Sequence, residues 1–293
     1  MTTGIVTFVH GWYVDYIPLY VFSVLRAYPE YFVKVFVNCS IPRHVKESLK
    51  FIPSDRFHIE NIFVDREQDD PVKKPYYLRW LLEYKDVAEF DHVFVCDVDF
   101  LMLPEEIPMH KRRLNMCNEL PFSNFIRSPH PDYPSRITGW HFFVTDPYYE
   151  KVGPVVRRIL EDPSFDISNP PSYCYDNGTG EKQWGQESLL YQIIKTAFNP
   201  DEDNLAEDSI GFANHHGLHM GPFRGKIPIL IDQNNNDAIR HMGKNLKYWM
   251  MYQEIFSLIS DPIFCLLESK IEETKVKQVV KKTCSYFRSK LFI

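Results

Sequence analysis

Residues 91–103 read DHVFVCDVDFLML. The apolar run HVFVC, at 92–96, is short and unbroken, the pattern of a strand covered on both faces inside a parallel sheet. Two aspartates at its end are therefore a constraint, because an ionised carboxylate in an apolar setting is costly unless paired or bound to a metal. Residues i and i+2 of an extended segment point the same way, so Asp97 and Asp99 can face one ion together. Oxygen ligands suit Mg²⁺ or Mn²⁺, which in turn take pyrophosphate oxygens. Taken alone, a D-x-D pair also fits a turn or a helix cap.

The surrounding pattern alternates strands and helices. GIVTFV (4–9), FVKVFVN (32–38), FHIENIFV (57–64) and HVFVC read as strands, and 17–27, 45–50 and 76–88 as helices. That order implies a mostly parallel, doubly wound sheet, whose ligands bind beyond the carboxyl ends of the strands. Farther along, 104–135 reads as loop and edge structure and ITGWHFFVT (137–145) as a strand. Residues 147–162 read as a helix disturbed by Pro154. Then come a long loop over 163–182, a helix over 183–197, a strand with a Gly- and His-rich loop over 210–226, and a long helix over 236–260.

Composition excludes some classes. A net charge of −6 argues against a nucleic-acid partner, which calls for a basic excess. The six cysteines form no C-x-x-C pair, so neither a structural zinc site nor a thioredoxin motif is expected. No basic-then-apolar leader and no 20-residue apolar run occurs, so a cytoplasmic protein is expected. Residues 266–293 carry seven Lys/Arg against three Glu, with apolar residues between them. Such a tail suits either a helix packed on the domain or peripheral contact with an anionic membrane face.

The segment VFVCDVDFLML resembles the D-x-D segment of the GT-A-fold glycosyltransferases. The N-terminal IVTFVHGWYVDYIPLYVFSVLRAYP is similar to their first strand, nucleotide loop and first helix. YYLRWLL (76–82) resembles the Y-x-R-L helix of the glycogenin and lipooligosaccharide galactosyltransferase family. WGQESLL (184–190) resembles the W-x-x-E-S-x-L stretch of the blood-group A/B transferase family, although Gln186 stands where that family has an aspartate and matches the glutamine of the glycogenin pattern.

The resemblance implies a GT-A domain over 1–262, Rossmann-like with a mostly parallel central sheet flanked by helices, followed by a helical tail over 263–293. It implies a retaining hexosyltransferase that uses Mn²⁺ or Mg²⁺ and a nucleotide sugar, most often a UDP-sugar, with a glycan or glycolipid acceptor. Asp97 and Asp99 would be metal ligands. Val9, His10, Gly11, Tyr13, Arg79, Asp97, Val98, Gly139, Trp140, Arg224 and Lys226 would line the donor, and Glu187 with Gln186 would sit beside the transferred sugar. These enzymes often add a histidine ligand. His219 is expected here, with His216 and His241 as rivals, because 239–250 has helical apolar spacing that makes His241 a helix residue. A nucleotidyltransferase that makes a nucleotide sugar is an alternative, but VTFVHGWYV lacks the Gly-rich basic loop such proteins carry. A sugar-nucleotide-binding protein without turnover is another.

Overall fold

The computed structural model describes residues 1–62, 77–117, 119–124, 126–127, 136–137, 140–161, 174–176, 182–184, 186–200, 217–224 and 246–289. Its elements, in chain order, begin with β1 (Thr3–Val9), α1 (Ile17–Ala27), β2 (Phe32–Val37), α2 (Arg43–Leu49), β3 (Phe57–Asn61), β4 (His92–Val95), β5 (Phe100–Met102) and α3 (Met109–Leu114). They continue with β6 (Phe122–Ser123), β7 (Ile126–Arg127), β8 (Arg136–Ile137), β9 (His141–Val144), α4 (Thr145–Glu161), β10 (Cys174–Asp176), β11 (Lys182–Trp184) and α5 (Gln186–Phe198). β12 (Gly217–His219), α6 (Leu246–Ile259), α7 (Pro262–Lys270) and α8 (Lys275–Ser289) complete the set. The fold is mixed α/β, with a mostly parallel central sheet flanked by helices. The chain divides into two compact units.

The first unit holds residues 1–8, 63–97 and 110–209. Its strands follow the order β1-β4-β9-β6. β1 and β4 run parallel, Thr3 opposite His92 through Val6 opposite Val95, and every residue of both strands is buried. Burial on both faces is why these strands read as continuous apolar runs. β9 turns the pattern: it lies antiparallel to β4, with His92 opposite Val144, and β6 lies antiparallel to β9. Tyr148, Tyr149, Val152, Val156 and Ile159 recur at helical spacing along the buried stripe of α4, which packs on α5. Pro154 sits inside α4 on its solvent side and removes one helical N–H.

The second unit holds residues 9–62, 98–109 and 210–293. β2 and β3 pair in parallel, Val33 opposite Phe57, and Val9 accepts a hydrogen bond from the Asn38 N–H at 2.9 Å. α1 is buried from Ile17 to Leu25. Its Ser23 hydroxyl donates to the Tyr20 carbonyl and accepts from the Met102 N–H of β5. Asp261 caps α7 through the Ile263 N–H at 2.9 Å and also meets Arg26 of α1 at 3.3 Å.

Three segments depart from expectation. Residues 77–88 are not one helix: two 3-10 turns, Leu78–Trp80 and Tyr84–Asp86, are separated by an extended Glu83. Glu83 and Asp86 cap each other reciprocally, which starts a new turn instead of prolonging the first. Tyr77, Trp80, Leu81 and Leu82 are all buried, so the apolar residues here do not line one helical face. Met109–Leu114 is a helix inside the stretch expected to be loop and edge. In the tail, Val276, Val279, Val280 and Phe287 are buried along one side of α8, while Lys275, Lys281 and Lys282 are exposed. These apolar residues of α8 thus form an inward face. Among the described residues no helix is long and apolar enough to cross one.

Candidate metal and donor site

β4 ends at Val95, and the chain passes through Cys96, Asp97, Val98 and Asp99 into β5. β5 is paired antiparallel with β12, His219 opposite Phe100. That register sets His219 beside Asp99: Nε2 lies 3.2 Å from Oδ2, and the Met220 N–H donates to the Asp99 carbonyl at 2.8 Å. Asp99 is buried, whereas His219 and Asp97 are each about a third exposed. One ligand atom from each of Asp97, Asp99 and His219 lies within 4.8 Å of the others. Two carboxylates and an imidazole, part buried and part open, fit a divalent cation such as Mn²⁺ that keeps further positions for water or phosphate oxygens.

The backbone at this point is tight. A Cβ built on Gly221 would come within 2.8 Å of the His219 ring and 3.5 Å of Asp99 Oδ2. Any larger residue would displace the imidazole. Gly221 opens a 3-10 turn, Gly221–Arg224, whose Phe223 is buried against Tyr286 and Phe287 of α8, ring centroids 5.7 and 6.3 Å away. α8 packs as well on the 3-10 turn Gly11–Tyr16 that follows β1.

Arg79 Nη1 donates to Asp97 Oδ1 at 2.6 Å. Arg79 is 5% exposed and lies over the Trp80 ring, 4.6 Å from its centroid. Its Nε and Nη2 are buried without a partner among the described residues. Unsatisfied donors on a buried guanidinium are expensive.

The remaining expected residues fall as follows. Val9 is buried at the end of β1. His10 follows it, and Gly11 adopts φ +57, a left-handed conformation that favours glycine. Tyr13 stacks with Trp12, centroids 4.1 Å apart, and Trp12 is exposed. Val98 is buried between the aspartates, and Trp140 is half-buried just before β9. Gln186 and Glu187 occupy the first turn of α5, and Arg224 ends its 3-10 turn. Gly139, His216, Lys226 and His241 lie outside the described residues. Sequence reasoning missed the β5–β12 ladder and a second histidine contact: His44 of α2 meets buried Asp15 at 2.8 Å and Glu272, just before α8, at 3.1 Å. The D at the end of GWYVD is the only local signal for that contact.

No family model matches the chain, and no curated protein does. Solved structures similar to it include an active-site mutant of LgtC, at 13% identity over 54% of this chain and 65% of that one, TM-score 0.40. Apo GlyE, a glycosyltransferase of Streptococcus pneumoniae TIGR4, is 13% identical over 69% of this chain and 46% of its own, TM-score 0.40. Core-mannan synthase A of Aspergillus fumigatus, in an Mn/GDP form, is 9% identical over 68% and 70%, TM-score 0.46. The chain spans less than two thirds of the length of the first two. At these scores the likeness is partial, and the functional reading rests on the residues of the site.

Proposed function

We propose that this chain is a metal-dependent glycosyltransferase of the GT-A class that moves a hexose from a nucleotide sugar, a UDP-sugar in the first instance, to a glycan or glycolipid acceptor with retention. The observation that carries the reading is the convergence of Asp97, Asp99 and His219 at the end of a buried strand, where α/β sheets bind their ligands. A bound Mn²⁺ or Mg²⁺ would offset the charge that develops on the leaving diphosphate. Asp97, Asp99 and His219 would hold it, and Arg79 has two spare donors for an anionic or hydroxyl group of the donor. Val9, His10, Gly11 and Tyr13 form the end of β1 and the turn beyond it, where Tyr13 with stacked Trp12 offers an aromatic face to a base. Glu187, on the first turn of α5, is the proposed carboxylate beside the sugar, as nucleophile or as stabiliser of an oxocarbenium-like centre, with Gln186 next to it. Gly139, Val98, Trp140, Arg224 and Lys226 complete the proposed donor lining.

The test is a thermal-shift panel of nucleotide sugars, with and without Mn²⁺, on the wild type and on Asp97→Ala and Asp99→Ala. A ligand of the folded state raises the melting temperature. Stabilisation by one nucleotide sugar that needs both Mn²⁺ and the aspartates supports the reading and names the donor. Shifts indifferent to metal and aspartates would make the D-x-D segment structural.

A further inference from the structure

We infer that Arg79 makes the binding of a divalent cation and of a nucleoside diphosphate mutually dependent, an inference that rests on Asp97, Asp99 and His219 being a metal site. Arg79 is held directly to one residue of this site, Asp97 Oδ1, at 2.6 Å. A guanidinium is a cation by its chemistry, and this one is buried, so solvent screens it poorly. Against two carboxylates it leaves the site with one net negative charge, and a dication turns that into a net positive charge. Arg79 therefore opposes the cation in two ways. It repels it, and it occupies the Asp97 oxygen that the cation would otherwise share.

The same side chain favours an anion. Nε and Nη2 have no partner among the described residues, and a diphosphate supplies both the acceptors they lack and the charge that the cation-loaded site needs. Each ligand thus removes a penalty that the other meets alone. Because such coupling is reciprocal, the cation must tighten the diphosphate by the factor with which the diphosphate tightens the cation. Arg79 is in this sense a positioning and charge-setting residue. Its role differs from simple donor contact, since it predicts that its removal strengthens one ligand while weakening the linkage to the other.

The experiment counts free Mn²⁺ by electron paramagnetic resonance, at several UDP concentrations, for the full chain and for Arg79→Gln. The wild type should bind Mn²⁺ weakly alone and on the order of ten-fold more tightly with saturating UDP. Arg79→Gln should bind Mn²⁺ alone several-fold more tightly than the wild type, with a UDP effect several-fold smaller than the wild type's, the remainder being the direct coordination of phosphate oxygens by the cation. Arg79→Met gives the same neutralisation with a side chain suited to the Trp80 wall, should the glutamine variant fail to fold. Neutral variants that bind Mn²⁺ alone no better than the wild type, or keep its full UDP effect, would overturn the inference and leave the metal site standing. A wild type that takes up no Mn²⁺ with or without UDP would overturn the metal reading itself.

Discussion

His141 should make the protein acid-sensitive in a specific pH window. It is the first residue of β9, fully buried, with Nδ1 2.9 Å from the Asn124 amide nitrogen and Nε2 2.9 Å from the Tyr148 hydroxyl. If the amide donates to Nδ1, the ring is the neutral tautomer with its proton on Nε2, given to Tyr148. Burial, aided by the charge of Arg113, pushes the imidazole down to about 3. An unfolded histidine titrates near 6.5. Between these values the unfolded chain takes up a proton that the folded one refuses, so stability falls as the pH drops below about 6.5. Each pH unit in that window costs about 1.4 kcal/mol, and the step from pH 7 to pH 5 costs about 2 kcal/mol from this residue. Urea unfolding of the wild type and of His141→Gln at both pH values isolates the effect. The variant loses absolute stability, yet its loss between pH 7 and pH 5 should be smaller than that of the wild type by about 2 kcal/mol. Equal losses, or a His141 ring resonance that titrates near pH 6 in the native protein, would refute the reasoning.

Gly221→Ala should weaken Mn²⁺ on the order of ten-fold while leaving the urea midpoint close to that of the wild type, because the new Cβ meets the partly exposed His219 ring; unchanged affinity by paramagnetic resonance would count against His219 as a ligand. Phe287→Ala should cost about 3–5 kcal/mol in urea unfolding, since the ring is fully buried against Phe223, and a loss under about 1 kcal/mol would mean that α8 is only loosely attached. Iodoacetamide at pH 8 should label exposed Cys265 and spare native Cys284, which is buried and whose thiol burial pushes up to about 12; mass spectrometry showing equal labelling would contradict that burial.

The parts of the fold legible in the sequence are those whose signal is local. β1 and β4 announce themselves as apolar runs, β2 by its alternation and α1 by its spacing, because burial of strand faces or of most of a helix leaves a pattern within a dozen residues. The 3-10 turns at 78–80 and 84–86 were hidden for the same reason: their apolar residues fall at spacings that match a helix, while Glu83 and its reciprocal cap with Asp86 decide the backbone. The D-x-D pair is visible as charge where none should be. The closeness of His219 to Asp99 is not visible in that way, since it depends on β5 pairing with a strand more than a hundred residues later. Local reasoning favoured His219 only by giving His241 to a helix, and His241 lies outside the described residues. The tail was legible as amphipathic, but charge and apolar content alone do not say which partner its apolar side meets.

The second unit is assembled from three separated stretches, and its core joins the turn Gly11–Tyr16 to a helix that starts at Lys275. On the ribosome, therefore, the residues that follow β1 emerge long before the helix that covers them. β5 waits likewise for β12. Until α8 has been synthesised, Phe223 and the early turn lack the cover it gives them, and chains stalled before that point expose apolar surface of the kind that chaperones hold and that aggregates otherwise. Slow translation in the stretch leading up to α8 should matter more to the yield of this protein than slow translation ahead of α1.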